Sequence, residues 1–172
     1  MLPFKWTCGC CGQQFDSLPL DVGATYPLDY FMVPEVERPA RIRHAKSLCA
    51  IDGDSFYVRG CIEVPIIGHD DCFAWGVWVS VSKASWDAIR DAWDDPDCAQ
   101  HGPYFGWLNA VLKLYPDTLN LKTRLHLRSD VAPYIELEQT DHPLAREQRE
   151  GITIDRVLEI ATAYSQHERL DQ

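Results

Sequence analysis

Two stretches of alternating residues organise the chain. In residues 56–66, Phe56, Val58, Ile62 and Val64 fall on one side, and Tyr57, Arg59, Cys61 and Glu63 on the other. In residues 73–81, Phe73, Trp75, Val77, Val79 and Val81 alternate with Ala74, Gly76, Trp78 and Ser80. A period of two is the signature of strands. The second run is apolar on both sides and reads as central in a sheet. Residues 41–51 read as an earlier strand, ending at the Asp52-Gly53 turn, and Gly60 as a bulge. Residues 121–128 alternate Leu121, Thr123, Leu125 and Leu127 with Lys122, Arg124, His126 and Arg128. After a turn at 129–133, residues 134–138 pair back, with Ile135 and Leu137 inward.

The period then changes. In residues 83–94, Trp86, Ile89 and Trp93 recur at helical spacing behind Ser82, a fitting N-cap. Residues 153–166 repeat the pattern with Ile154, Val157, Leu158, Ala161 and Tyr164. Residues 104–114 read as a short aromatic helix broken at Tyr115-Pro116. Pro19, Pro27, Pro34 and Pro39 make residues 16–40 an extended connector with one helical turn near 27–31. The expected fold is α+β: an antiparallel sheet of about five strands with two or three helices on its apolar face. All of residues 1–172 read as one domain. Within it, 1–15 form a small N-terminal appendage, 16–40 the connector and 41–172 the body.

Composition narrows the functions. Sixteen basic residues against 26 acidic ones give a net charge of −10. That opposes nucleic acid and anionic membranes and suits docking on a basic protein partner. No run approaches the roughly 18 apolar residues of a membrane span, and the N-terminus lacks a secretory leader. The expected location is the cytoplasm. Disulfides are not expected there, so the seven cysteines are core residues, metal ligands or nucleophiles.

Cys8 and Cys11 form C-x-x-C followed by Gly12. Two thiolates on a tight turn with a glycine behind them are half of a zinc-knuckle site. A plain cysteine-rich turn and redox chemistry are the alternatives, and His44 is one further ligand candidate. The polar strand face of Lys122, Arg124, His126 and Arg128, joined by Glu136 and Arg59, is either a solvated ion-pair ladder or a seat for a small anion or acidic peptide. In Thr140-Asp141-His142-Pro143, Asp141 reads as a cap for a short helix, and His142 has no visible partner for base catalysis. His101 reads as a loop residue. GxSxG, P-loop, GxGxxG and HExxH motifs are all absent, so no complete catalytic constellation is present and an enzyme is disfavoured.

The runs VRGCIE, WGVWVS, YFGWL and TDHPLA are long and specific, and with CxxCG they resemble the bacterial family known as domain of unknown function 2199. The likeness extends from about Cys8 to Ile160. It implies a bacterial cytosolic protein and carries no activity. It also implies cysteines at the positions of Cys8, Cys11, Cys49 and Cys61, a set that would close a structural zinc site; Cys10, Cys72 and Cys98 lie outside it. Cys49 and Cys61 would have to meet across the hairpin at Asp52-Gly53. Gln139 departs from the family pattern, which has proline there. The function expected is an acidic protein-interaction module with a structural zinc. The alternative is an enzyme or anion binder using Arg59, Arg124, His126 and Glu136.

Overall fold

The structure, a computed structural model, describes residues 5–8 and 12–164. Its strands are β1 (Trp6–Thr7), β2 (Gln14–Phe15), β3 (Asp21–Gly23), β4 (Ile42–His44), β5 (Leu48–Ile51), β6 (Ser55–Pro65), β7 (Cys72–Val81), β8 (Tyr104–Leu108), β9 (Lys122–His126) and β10 (Tyr134–Leu137). Its α-helices are α1 (Arg38–Arg41), α2 (Lys83–Ala92), α3 (Pro143–Glu150) and α4 (Ile154–Tyr164). None of the described helices is long and apolar enough to cross a membrane.

β6 and β7 pair antiparallel along their whole length, from Phe56 opposite Val81 to Pro65 opposite Cys72. β7 continues to β8, β8 to β9 and β9 to β10, all antiparallel. β10 then returns to β6, parallel, with Tyr134 opposite Cys61. Five strands therefore close into a barrel. β5 and β4 extend the sheet from β6, and β3 adds to β7 in parallel. The fold is α+β as expected, but the expected open antiparallel sheet is a closed ring with one parallel joint, β10 to β6, and a second parallel pairing, β3 to β7, outside the ring. The helices accordingly do not layer one face. Trp86 and Ile89 of α2, Leu144 of α3, and Val157 and Ile160 of α4 join the same core as the barrel interior.

Gly60 is what lets the ring close. A Cβ at this position would lie 2.7 Å from the Pro133 carbonyl oxygen, where the chain enters β10. The expected bulge is absent: Gly60 pairs in register with Val77. Inside the ring, Val58, Ile62, Phe73, Trp75, Val77, Leu125 and Ile135 are fully buried. Each large side chain buried this way contributes about 1.5–3 kcal/mol.

A second, smaller core lies outside the barrel wall. Tyr57 and Trp78 point outward from β6 and β7 and are covered by Ala24, Val33 and Ile42, with Cys49 and Ile51 beside them. The proline-rich connector thus packs on the barrel, and its helical turn appears as a 3-10 helix, Leu28–Met32. The Trp78 indole N–H donates to the Ala24 carbonyl at 3.2 Å.

Two further expectations are corrected. Residues 41–51 are a hairpin, not one strand: β4 and β5 turn through Lys46 and Ser47, closed by Ala45 N–H to the Leu48 carbonyl at 2.8 Å. The aromatic stretch after Pro103 is a strand, β8, not a helix. Its residues alternate, with Gly106 and Leu108 buried and Phe105 and Trp107 outward. Aromatic residues and glycine are weak helix formers, and open ladder edges on β7 and β9 decide the matter. Ser82 caps α2 as expected, accepting from the Ser85 N–H at 3.1 Å.

Candidate functional site

The outer faces of β8, β9 and β10 form one continuous polar and aromatic surface. The pleat sends Thr123, Leu125, Ile135 and Leu137 into the barrel, which leaves Lys122, Arg124, His126, Glu136 and Glu138 outside. On the neighbouring strand, Phe105 stands opposite Arg124 and Trp107 opposite Lys122. Phe105 and Trp107 are 49% and 41% exposed, unusual for such large side chains. Their rings meet edge to face with centroids 5.0 Å apart. Phe105, Lys122, Arg124, Glu136 and Glu138 line a concavity of about 290 Å³.

Electrostatics divide this surface in two. Toward β6 the charges are satisfied. His126 Nε2 lies 2.9 Å from Glu136 Oε2, and the Arg128 guanidinium lies 2.7 Å from Glu63. Tyr134 sits beside both, accepting from the Gln148 amide at 3.2 Å, and burial raises its phenol above the usual range. Toward β8, Lys122 and Arg124 make no ion pair among the described residues, although Arg124 stands opposite Glu136 in register. The hydroxyl at the concavity, Thr123 Oγ1, is turned inward and donates to the Gly106 carbonyl at 2.8 Å. The arrangement can hold a ligand by charge and ring contact.

The structure brings together Lys122, Arg124, His126 and Glu136, and adds Glu63 through Arg128. It takes Arg59 away from them. The Arg59 Nε donates to the Ala24 carbonyl at 2.9 Å, and the guanidinium lies over Gly23 and Gly76, where a Cβ would sit 2.7 and 2.8 Å from it. Asp141 does not cap α3. His142 does: its Nδ1 accepts from the Leu144 N–H at 3.2 Å, and its Nε2 lies 3.1 Å from the Asp117 carbonyl. His101 lies 3.1 Å from Asp95 on an exposed loop. A helix over residues 104–114 hides the exposed pair Phe105 and Trp107; the alternation of Tyr104, Gly106 and Leu108 is the sequence signal for the strand that presents them.

Among the candidate zinc ligands, Cys11 lies outside the described residues. Cys8 is buried at the end of β1, with the Gly12 N–H donating to its carbonyl at 2.9 Å. Cys49 pairs with Tyr57, whereas Cys61 pairs with Gly76 and faces Tyr134. Four strand positions separate the two cysteines, about 13 Å along β6. Among the described residues, no three His, Cys, Asp or Glu side chains gather where they could hold a metal ion. Burial pushes the Cys49 thiol up to about 11. Burial also raises the Cys61 thiol, against the opposing pull of Arg59. Neither is a ready thiolate.

Residues 7–152 match the family described as "Uncharacterized protein conserved in bacteria (DUF2199)", and the chain belongs to it. No curated protein and no solved structure matches the chain.

Proposed function

We propose that this bacterial-family protein is a binding module, not an enzyme, and that the face of β8 and β9 holds an acidic segment of a partner protein. The supporting observation is the exposed Phe105 and Trp107 pair beside Lys122 and Arg124, two cations free of ion pairs among the described residues. Aromatic and arginine side chains carry most of the energy of protein interfaces, and free guanidinium groups take carboxylates in two-pronged bonds. The net charge of −10 favours a basic partner at long range. Close contact beside Phe105 and Trp107, where Arg124 and Lys122 stand opposite them, favours an acidic segment instead. The test is a titration of isotope-labelled protein with a peptide of alternating Glu and Leu. Shifts confined to Phe105, the Trp107 indole and Arg124, abolished by Lys122→Glu/Arg124→Glu, support the reading. Shifts elsewhere, or none, sink it.

A structural zinc at Cys8 and Cys11 is a second proposal, favoured by the β1–β2 hairpin that flanks them. Trp6 stacks on Phe15 at 4.9 Å across the β1–β2 hairpin, and Gly12 takes a positive φ of 70° behind the second cysteine. Native mass spectrometry with and without chelator tests it on wild type and Cys8→Ser. One zinc in the wild type, lost in the variant, supports the site; freshly reduced wild type without metal removes it.

A further inference from the structure

The second surface with a charge opposite to the chain's own lies between α2 and the β4–β5 hairpin. The register places Leu48 on the same side of the sheet as the barrel interior, but beyond the closed ring, so it is only partly covered. Phe56 and Trp86 meet there at 5.1 Å and close the floor. A groove of about 490 Å³ remains above them. Lys83, Trp86 and Arg90 fall at i, i+3 and i+7, one stripe of α2, and this stripe forms one wall. Arg43, opposite Ala50 in register, forms the other.

The charges around this groove are unbalanced. Lys83 is held by Asp87 and lies 5.8 Å from the centre of the Phe56 ring. The Arg90 guanidinium lies 5.9 Å from the Trp86 ring and makes no ion pair among the described residues. Among the described residues, Arg43 donates to the backbone carbonyls of Pro39 and Ile42, at 3.4 and 3.3 Å, and makes no ion pair. Three cations and one bonded carboxylate surround an apolar floor, in a chain where acidic residues outnumber basic ones 26 to 16.

We infer that this groove binds a small amphiphilic carboxylate, its ring or short hydrocarbon body on Leu48, Phe56 and Trp86 and its acid head between Arg43 and Arg90. The volume falls in the range of small-molecule sites, roughly 300–1,000 Å³. β5, the strand that carries Leu48 and Ala50 into the groove, has four residues, about 13 Å, which is short for pairing with an extended peptide. Apolar floor and cationic rim together select for both halves of the ligand: a neutral analogue loses the charge-assisted bonds, and a simple anion loses the burial.

The test uses 2-naphthoate as probe, followed by calorimetry on the whole chain. Saturable binding of one molecule per chain is expected. Arg43→Glu/Arg90→Glu should weaken it roughly tenfold or more, and the neutral analogue 2-naphthalenemethanol should bind weaker than naphthoate by a similar factor. Both arginines are exposed, so the variant keeps its fold, which a melting curve verifies; Arg43→Gln/Arg90→Gln should give an intermediate loss. Phe105→Ala/Trp107→Ala should bind naphthoate as wild type does, which separates this groove from the β8–β9 face. No saturable binding at millimolar naphthoate, equal affinity in the arginine variant, or loss in the Phe105/Trp107 variant would each overturn the inference.

Discussion

The Tyr57 hydroxyl donates to the Asp29 carboxylate at 2.6 Å, tying the outer face of the barrel wall to a connector residue 28 positions earlier. Asp29 is fixed from the other side, its backbone N–H donating to the Asn109 side chain at 3.0 Å. The tyrosine that anchors the connector is therefore bonded to a residue that is itself anchored.

Tyr57→Phe removes the donor and leaves the carboxylate half-buried without it. A bond to a charged group contributes about 1.5–3 kcal/mol. In a chain of this size that lowers the melting temperature by roughly 4–10 °C. Limited proteolysis within residues 28–38 should accelerate in parallel. An unchanged melting curve would mean that the bonds to Asn109, Trp78 and Arg59 hold the connector without Tyr57.

Alkaline pH should destabilise the fold, and the sign follows from three groups. Burial first, and then the Asp29 carboxylate, raise the Tyr57 phenol above its usual 10.0. Burial and Glu147 do the same for Tyr115. Cys49 moves from 9.0 to about 11. Below pH 9 both the folded and the unfolded chain keep these protons, and the stability is fully present. Above the unfolded values the unfolded chain releases protons first, so stability falls as pH rises toward the folded values. Urea midpoints should drop steadily from about pH 9 upward. Absorbance at the tyrosinate band should show part of the seven tyrosines titrating only with unfolding. A midpoint independent of pH in this window would contradict the burial of all three groups.

Gly60→Ala places a methyl group 2.7 Å from the Pro133 oxygen and 2.9 Å from the Ile135 side chain. Overpacking of this kind costs about 1–3 kcal/mol. The loss should be local: amide exchange in β10 should rise more than in the β6–β7 ladder. Uniform acceleration would place the strain elsewhere.

Trp107→Ala and Trp78→Ala should part company. Trp107 is exposed, so its removal should change stability by no more than about 0.5 kcal/mol. Trp78 is fully buried and bonded to Ala24, and its removal should cost about 3–5 kcal/mol. Denaturant unfolding of the two variants checks both. A destabilised Trp107→Ala protein would make that side chain part of the fold and weaken its assignment to binding.

The strands whose alternation is strong were legible in the sequence: β6, β7, β9 and β10 lie where the period of two placed them. So was half of the candidate face, because Lys122, Arg124 and His126 share one side of β9 by pleat alone. The other half was not. Phe105 and Trp107 belong to a five-residue strand rich in aromatics, where a short apolar run fits a helix or a strand equally until its neighbours are known. Closure of the ring was hidden for a related reason: it depends on Gly60 admitting a segment more than seventy positions away, and no local pattern records that approach. Arg59 shows the converse. Its outward position was read correctly, but two distant glycines draw its guanidinium onto the connector.

The joint at Tyr134 and Cys61 differs from every other in the barrel. β6 and β7 are paired along their full lengths, whereas β10 meets β6 at one register position, supported by the Cys61 N–H bond to the Pro133 carbonyl. A ring fails at its least-paired joint, so local opening begins there and peels β9 and β10 away as a hairpin. The edge of β6 uncovered in this way accepts any matching strand, including β10 of another copy in the same open state. At high concentration and raised temperature the reclosure that follows includes exchange of that hairpin between molecules, since the same contacts form either way.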